Sequence, residues 1–287
     1  MSLSSLNQPS LISAAGVALG ASFSALKSPQ ISFAAIQLLQ GAAYTVNLVA
    51  TSQPGRLDGE AMRDNADEGL PSSKFVPSPW AFAIWGPIFL GELVYCIASA
   101  VTSKNSKHAS IIRDAAPGFI ASQLFQALWA AAFRPKYYKS KSWPAFVSAS
   151  LLSGIAWSLS QSHSVIASSS LSGTSYFLYG LPLTLHFGWT TAASLVNLNG
   201  SIAATSSKGV VVAAAGYASP LVAASLGVYV TLQRKAPVFG SVIAWALTAC
   251  ATSGRQQQAE DRVQKWLCAG GAIATAVAVA TTVVGRK

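Results

Sequence analysis

The placement of charge constrains this chain more than any motif does. Its 19 Lys and Arg and nine Asp and Glu gather in short stretches, with long uncharged runs between them. A helix crosses a bilayer core in about 20 apolar residues. Eight runs approach or exceed that length: residues 31–50, 79–101, 115–133, 143–160, 174–198, 209–231, 237–254 and 264–284. Lys265, at the edge of the last run, is the one basic residue inside any of them, and Glu92 is the one acid. In lipid a backbone must satisfy its own hydrogen bonds, which favours helices. The expectation is an all-α, polytopic membrane helix bundle. Residues 1–30 form an N-terminal segment, 31–200 a five-helix core, and 201–287 an extension of three more spans. Composition agrees: 10% of residues are charged, against about 25% in soluble domains.

The net charge of +10 does not point to nucleic acid. Basic residues sit in short connections beside aromatics, as where Arg134, Lys136, Lys139 and Lys141 neighbour Tyr137, Tyr138 and Trp143. That pairing marks a membrane–water interface, so the expected partners are the lipid bilayer and no nucleic acid. Cys96, Cys250 and Cys268 are scattered, with no C-x-x-C, and read as small packing residues. Residues 1–30 contain one base, Lys27, and no acid. They read as a surface or organelle-targeting segment, since Ser and Gly break the apolar run at 11–26. The longest connection, 51–76, carries five of the nine acids and reads as a solvated or functional loop.

Phe75 to Cys96 carries the densest signal. Pro77 and Pro79 suit a helix entry, where a missing N–H costs little, and Pro87 inside the run predicts a kink. Phe82, Trp85, Phe89 and Glu92 fall on one helical face. Other runs repeat the pattern. Gln37, Gln40, Tyr44 and Asn47 share a face, as do Phe119, Ser122, Gln126, Trp129 and Phe133. In the fifth run Tyr179, Pro182, His186, Trp189 and Asn197 line up in the same way. Polar groups sharing a face within a span look into the bundle. Glu92 is therefore expected to face a pocket. It should be protonated or hydrogen-bonded to neutral partners drawn from Gln37, Gln40, Gln126 and His186, because leaving water disfavours a charged carboxylate. His108 and His163 read as solvated loop residues. Residues 201–287, rich in Ala, Val, Gly and Ser, read as a packing annex outside the pocket.

No nucleotide-binding glycine loop and no nucleophile elbow is present. No second His or Cys stands at ligand spacing from His186, so no metal site is expected; whether the chain is an enzyme stays open, with the balance against it. The aromatic and neutral-polar faces suit a cavity for a flat or rigid apolar ligand with polar edges. The same residues would serve helix-to-helix packing equally well. Two other classes stay open: a small-solute or lipid transporter, and a structural or pigment-carrying subunit of a larger complex. A lone intramembrane acid and the lack of an inverted repeat argue against a transporter.

Four pieces recur in order across residues 31–200: Asn47, then FVPSPWAFAIWGPIFLGE at 75–92, QALW at 126–129, and LPLTLHFGWTTAASLVNLN at 181–199. In these the chain resembles the translocator-protein family, the tryptophan-rich sensory proteins (TspO/MBR), and among them the longer members that continue past five helices. The resemblance over 201–287 is loose. It departs from the family where Ile84 precedes Trp85, where Gln126 replaces an Asn, and where Leu185 and His186 stand at a Pro-Tyr. The resemblance implies a five-helix bundle enclosing a pocket for porphyrins, other tetrapyrroles, sterols or similar hydrophobic small molecules, often as a homodimer. The function it implies is that of a multi-pass membrane receptor or sensor without a covalent cofactor. Trp80, Trp85, Trp129, His186, Trp189 and Asn197 are the pocket candidates it carries over. Glu92 and Gln126 join them as ligand-binding candidates from their helical faces.

Overall fold

The computed structural model describes residues 7–52, 73–169, 171–253 and 260–285. The acidic connection at 53–72 lies outside the described residues, as do residues 1–6, 170, 254–259 and 286–287. Every regular element among the described residues is helical. The chain opens with α1 (Pro9–Ala21), which runs into a 3-10 turn at Ser22–Lys27. After α2 (Phe33–Ser52), a 3-10 segment at Pro79–Ile84 feeds α3 (Trp85–Val101). α4 (Ala109–Ala132) is followed by the short α5 (Pro135–Lys139), a 3-10 turn at Trp143–Phe146, and α6 (Val147–Ala167). Then come α7 (Gly173–Tyr179), α8 (Leu181–Thr205), α9 (Gly209–Gln233), α10 (Pro237–Ala251) and α11 (Glu260–Val284).

Packing follows from where the polar residues lie. α4 is central, against α1, α2 and α6, while α8 packs on α3, α6, α9 and α10. The last three helices pack on one another, and α10 joins them to the core through α8 and the 3-10 segment at Pro79–Ile84. Five helical segments among the described residues are long and apolar enough to cross a membrane: Pro9–Lys27, Phe33–Ser52, Pro79–Val101, Gly209–Gln233 and Arg262–Val284. The central helices α4, α6 and α8 are not among them. Their inner faces bury Gln123, Gln126, Ser148, Ser158, His163, His186 and Asn197, which lowers their hydropathy without exposing a polar group to lipid.

The structure corrects four readings. Residues 11–26, too broken for a span by sequence, belong to the helical segment Pro9–Lys27, which packs along α4 and α6. Asn7 pins its start: it donates to the Ala131 carbonyl at 3.0 Å and accepts from the Tyr137 hydroxyl at 2.7 Å. Farther on, the Phe23 ring meets Trp157 at 4.7 Å. Pro87 does not kink a continuous helix. It falls in the first turn of α3, where its missing N–H has no intrahelical partner to lose, and the chain changes helix type just before it, at Ile84–Trp85. The fifth run is two helices, α7 and α8, broken at Gly180 because Pro182 cannot continue the hydrogen-bond ladder. His163 is not a solvated loop residue. It is buried in α6, where Arg234 at the end of α9 reaches its Nδ1 at 3.3 Å and donates to the Ser160 carbonyl at 3.0 Å.

Small residues set the closest approaches. A Cβ on Gly118 of α4 would overlap the Ser158 carbonyl and the Ser162 hydroxyl of α6. A Cβ on Gly188 of α8 would stand 2.8 Å from Val242 of α10. Gly118→Ala should therefore cost about 1–3 kcal/mol through overpacking. Gly41→Ala, where a Cβ meets nothing within 4 Å, should be neutral or slightly stabilising. Thermal unfolding of the two purified variants in one detergent checks this, and equal midpoints would contradict the packing at α4–α6.

Candidate functional site

The site has two parts, a buried polar knot and an aromatic cavity in front of it. The knot begins with Glu92 on α3, which is fully buried. Its Oε1 lies 2.6 Å from His186 Nδ1 on α8 and accepts from Gln123 Nε2 on α4 at 2.9 Å. Gln123 Oε1 in turn accepts from Asn47 Nδ2 on α2 at 2.6 Å, and Gln126 Oε1 takes the same amide at 3.1 Å. Four helices thus meet through one chain of hydrogen bonds. His186 Nε2 and Glu92 Oε2 are buried without a hydrogen-bond partner among the described residues.

Aromatic rings separate the knot from the cavity. Trp85 meets the His186 ring edge-on at 5.7 Å, Trp189 edge-on at 6.1 Å, and stacks with Phe89 at 5.5 Å. Phe82 closes on Trp189 at 5.6 Å. The cavity beyond holds about 340 Å³, within the usual range for small-molecule sites. Phe82, Trp85, Trp129, Phe133 and Trp189 supply its aromatic wall, and Tyr138 and Asn197 its polar end. Asn197 Oδ1 is faced by the Ser148 hydroxyl at 2.5 Å and by Trp129 Nε1 and the Tyr138 hydroxyl at 3.5 Å each.

The eight residues expected at the site divide in three. Trp85, Trp129, Trp189 and Asn197 stand on the cavity wall. Glu92, Gln126 and His186 do not reach it and sit in the knot behind. Trp80 is at neither place. It is 42% exposed and meets Trp245 of α10 edge-on at 4.6 Å. Of the partners expected for Glu92, only His186 is one. Gln37 donates to the Ser99 and Thr102 carbonyls, and Gln40 bonds the Tyr95 and Ser99 hydroxyls. Gln123 was missed. Its position, four residues after Phe119 and three before Gln126, puts it on a polar helical face that could have been read.

Of the C-terminal helices, α10 is not outside the pocket. Ala246 and Cys250 of α10 form part of the cavity wall. The segment leading into α3 is fastened to the same helix: Ser78 N–H donates to the Ala249 carbonyl at 2.9 Å, and Trp245 Nε1 donates to the Ala81 carbonyl at 3.2 Å.

The family described as TSPO-like protein matches residues 35–284, from α2 to the last turn of α11. The chain belongs to the TSPO-like protein family. The match runs through α9, α10 and α11, so the extension is part of the family pattern and not an appendage to it. Membership and the five apolar segments make this TSPO-like protein an integral, multi-pass membrane protein. No curated protein and no solved structure matches it.

Breaking the knot should be costly in a residue-specific way. Glu92→Leu strands Gln123 Nε2 and His186 Nδ1, at about 1–3 kcal/mol for each buried group left unpaired. Glu92→Gln keeps an acceptor oxygen and should retain most of the stability. Thermal unfolding of both variants beside His186→Phe and the Glu92→Leu/His186→Phe double variant measures the coupling. Strict additivity of the two losses would show that the pair contributes nothing as a pair.

Proposed function

We propose that this TSPO-like protein is a membrane receptor or sensor that takes a rigid hydrophobic ligand, sterol-like or tetrapyrrole-like, into the cavity between α3, α4, α8 and α10. One observation carries the reading: a cavity of about 340 Å³ inside a membrane bundle, walled by three tryptophans and three phenylalanines with polar groups at one end. Aromatic rings hold flat apolar molecules by face and edge contacts, and a few fixed polar groups orient them. The knot supports the reading indirectly. It fixes α3 against α8 and so holds Trp85 and Trp189 in place before any ligand arrives, which lowers the ordering cost of binding.

The test is tryptophan quenching of the detergent-purified chain, titrated with a sterol and with a porphyrin. Trp85→Ala removes a wall and should weaken binding by about tenfold or more, as the loss of a buried aromatic contact does. Ala246→Leu fills the cavity from α10 and should weaken it as strongly while the fold is kept. Unchanged affinity in both variants would remove the cavity from the function.

A second reading, transport of a small solute or lipid, is favoured by the Glu92–His186 pair, since ionisable residues at membrane depth often mark proton pathways. In proteoliposomes a proton gradient should then drive uptake of the quenching ligand, and Glu92→Gln should abolish it. Equal uptake with and without the gradient would count against transport.

A further inference from the structure

A second cavity opens at one end of the bundle, where α4 begins, α6 ends and α7 starts. It holds about 750 Å³, within the usual range for small-molecule sites, and shares no lining residue with the aromatic cavity. The turn beside it, at 102–108, carries Lys104 and Lys107, and basic residues at the ends of membrane helices mark the membrane–water interface. Its walls are held in place. The His108 ring packs on Tyr179 of α7 at 5.1 Å, and the Tyr179 hydroxyl meets that of Thr102 at 2.9 Å. Ser172 and Ser175 close a capping box at the start of α7.

The lining has two characters. Ile111, Val165 and Leu171 make an apolar side, while six serines, Lys107, His108 and Asp114 make a polar one. Lys107 stands just ahead of α4, and Asp114 follows Ser110 and Ile111 on one face of its first turns. Both signs of charge are therefore present. An ammonium such as that of Lys107 only donates, and an ionised carboxylate such as that of Asp114 only accepts. The Ser169 hydroxyl donates to the Ile166 carbonyl at 2.6 Å and the Ser175 hydroxyl to the Ser172 carbonyl at 2.8 Å. With their protons so used, both act toward a ligand as acceptors. A purely anionic group would meet Asp114 and a purely cationic one Lys107, and like charges repel more strongly as bulk water is left behind. A group with one charge of each sign meets a partner at both.

We propose that this cavity is a headgroup site for a phospholipid carrying a primary ammonium, of the phosphatidylethanolamine class. The phosphate pairs with Lys107, the ammonium donates to Asp114 and the serine oxygens, and the glycerol end lies along Ile111, Val165 and Leu171. Such a site stands whether or not the aromatic cavity takes a sterol or a tetrapyrrole.

Four probes test this by native mass spectrometry of the delipidated full chain in detergent: dihexanoyl phosphatidylethanolamine, its phosphatidylcholine and phosphatidylglycerol counterparts, and O-phosphoethanolamine. A trimethylammonium has no N–H to donate and a glycerol headgroup has no cation. The ethanolamine lipid should bind about tenfold more tightly than either, the scale of one hydrogen bond between charged groups. Lys107→Gln should weaken all three lipids. Asp114→Asn should remove most of the ethanolamine advantage and leave the choline lipid's affinity unchanged. Lys107 and Asp114 are exposed, so both variants should keep the parent's thermal midpoint without lipid. Equal affinity for the three lipids, tightest binding of the glycerol lipid, or an advantage that survives Asp114→Asn overturns the proposal. Binding of O-phosphoethanolamine as tightly as the ethanolamine lipid overturns the lipid as the source of the group.

Discussion

The structure depends first on how one acid buried at membrane depth finds its hydrogen bonds. Glu92 is fully buried, and its partners are His186 and Gln123. These hydrogen bonds offset part of the penalty of burying a carboxyl group at membrane depth. Because the partners lie on different helices, the bonds also fix geometry. α3 and α8 are joined directly, α4 through Gln123, and α2 through Asn47. Hydrogen bonds between membrane helices are each worth only about 1–2 kcal/mol or less. Here they matter through connection, since loss of one member strands the next.

The cavity follows from that frame. With α3 held to α8, Trp85 and Trp189 meet edge-on at 6.1 Å and present one continuous aromatic wall. The opposite wall needs α10, which comes close because Gly188 leaves room for Val242. Ala246 and Cys250 are small enough to leave the space between the walls open. α10 thus completes the site, while α9 and α11 extend the bundle.

Much of this was legible in the sequence, and the exceptions share a cause. Charge clearance marked the long helices because the bilayer penalises charge whatever the tertiary fold. Helical spacing brought Trp85, Trp129, Trp189 and Asn197 to light because all lie on inward faces. Periodicity gives a face but not a depth or a partner. It could not tell that Glu92 and His186 sit behind Trp85, or that Trp80 turns to α10 and away from the cavity. Gln123 lies three residues before Gln126 on a face that spacing does show, but α4 is buried on several sides, and spacing does not tell which of its polar residues meets Glu92. α10 was missed because its contribution is the smallness of Ala246 and Cys250, and small residues carry no site signal in a sequence. The helix at Pro9–Ala21 was under-read because Ser and Gly, which lower hydropathy, are also what lets a helix pack closely, as Gly16 does beside Leu151.

The most direct test of the account is to map where a bound ligand lies. A sterol carrying a photoreactive diazirine can be irradiated with the full chain in membranes and the adducts located by mass spectrometry. The account predicts adducts on Trp85 or Trp189 together with adducts on the α10 segment Ala246–Cys250, all suppressed by excess unlabelled sterol. Adducts confined to outward-facing residues such as Trp80, Phe177 and Trp266, and insensitive to competitor, would contradict it.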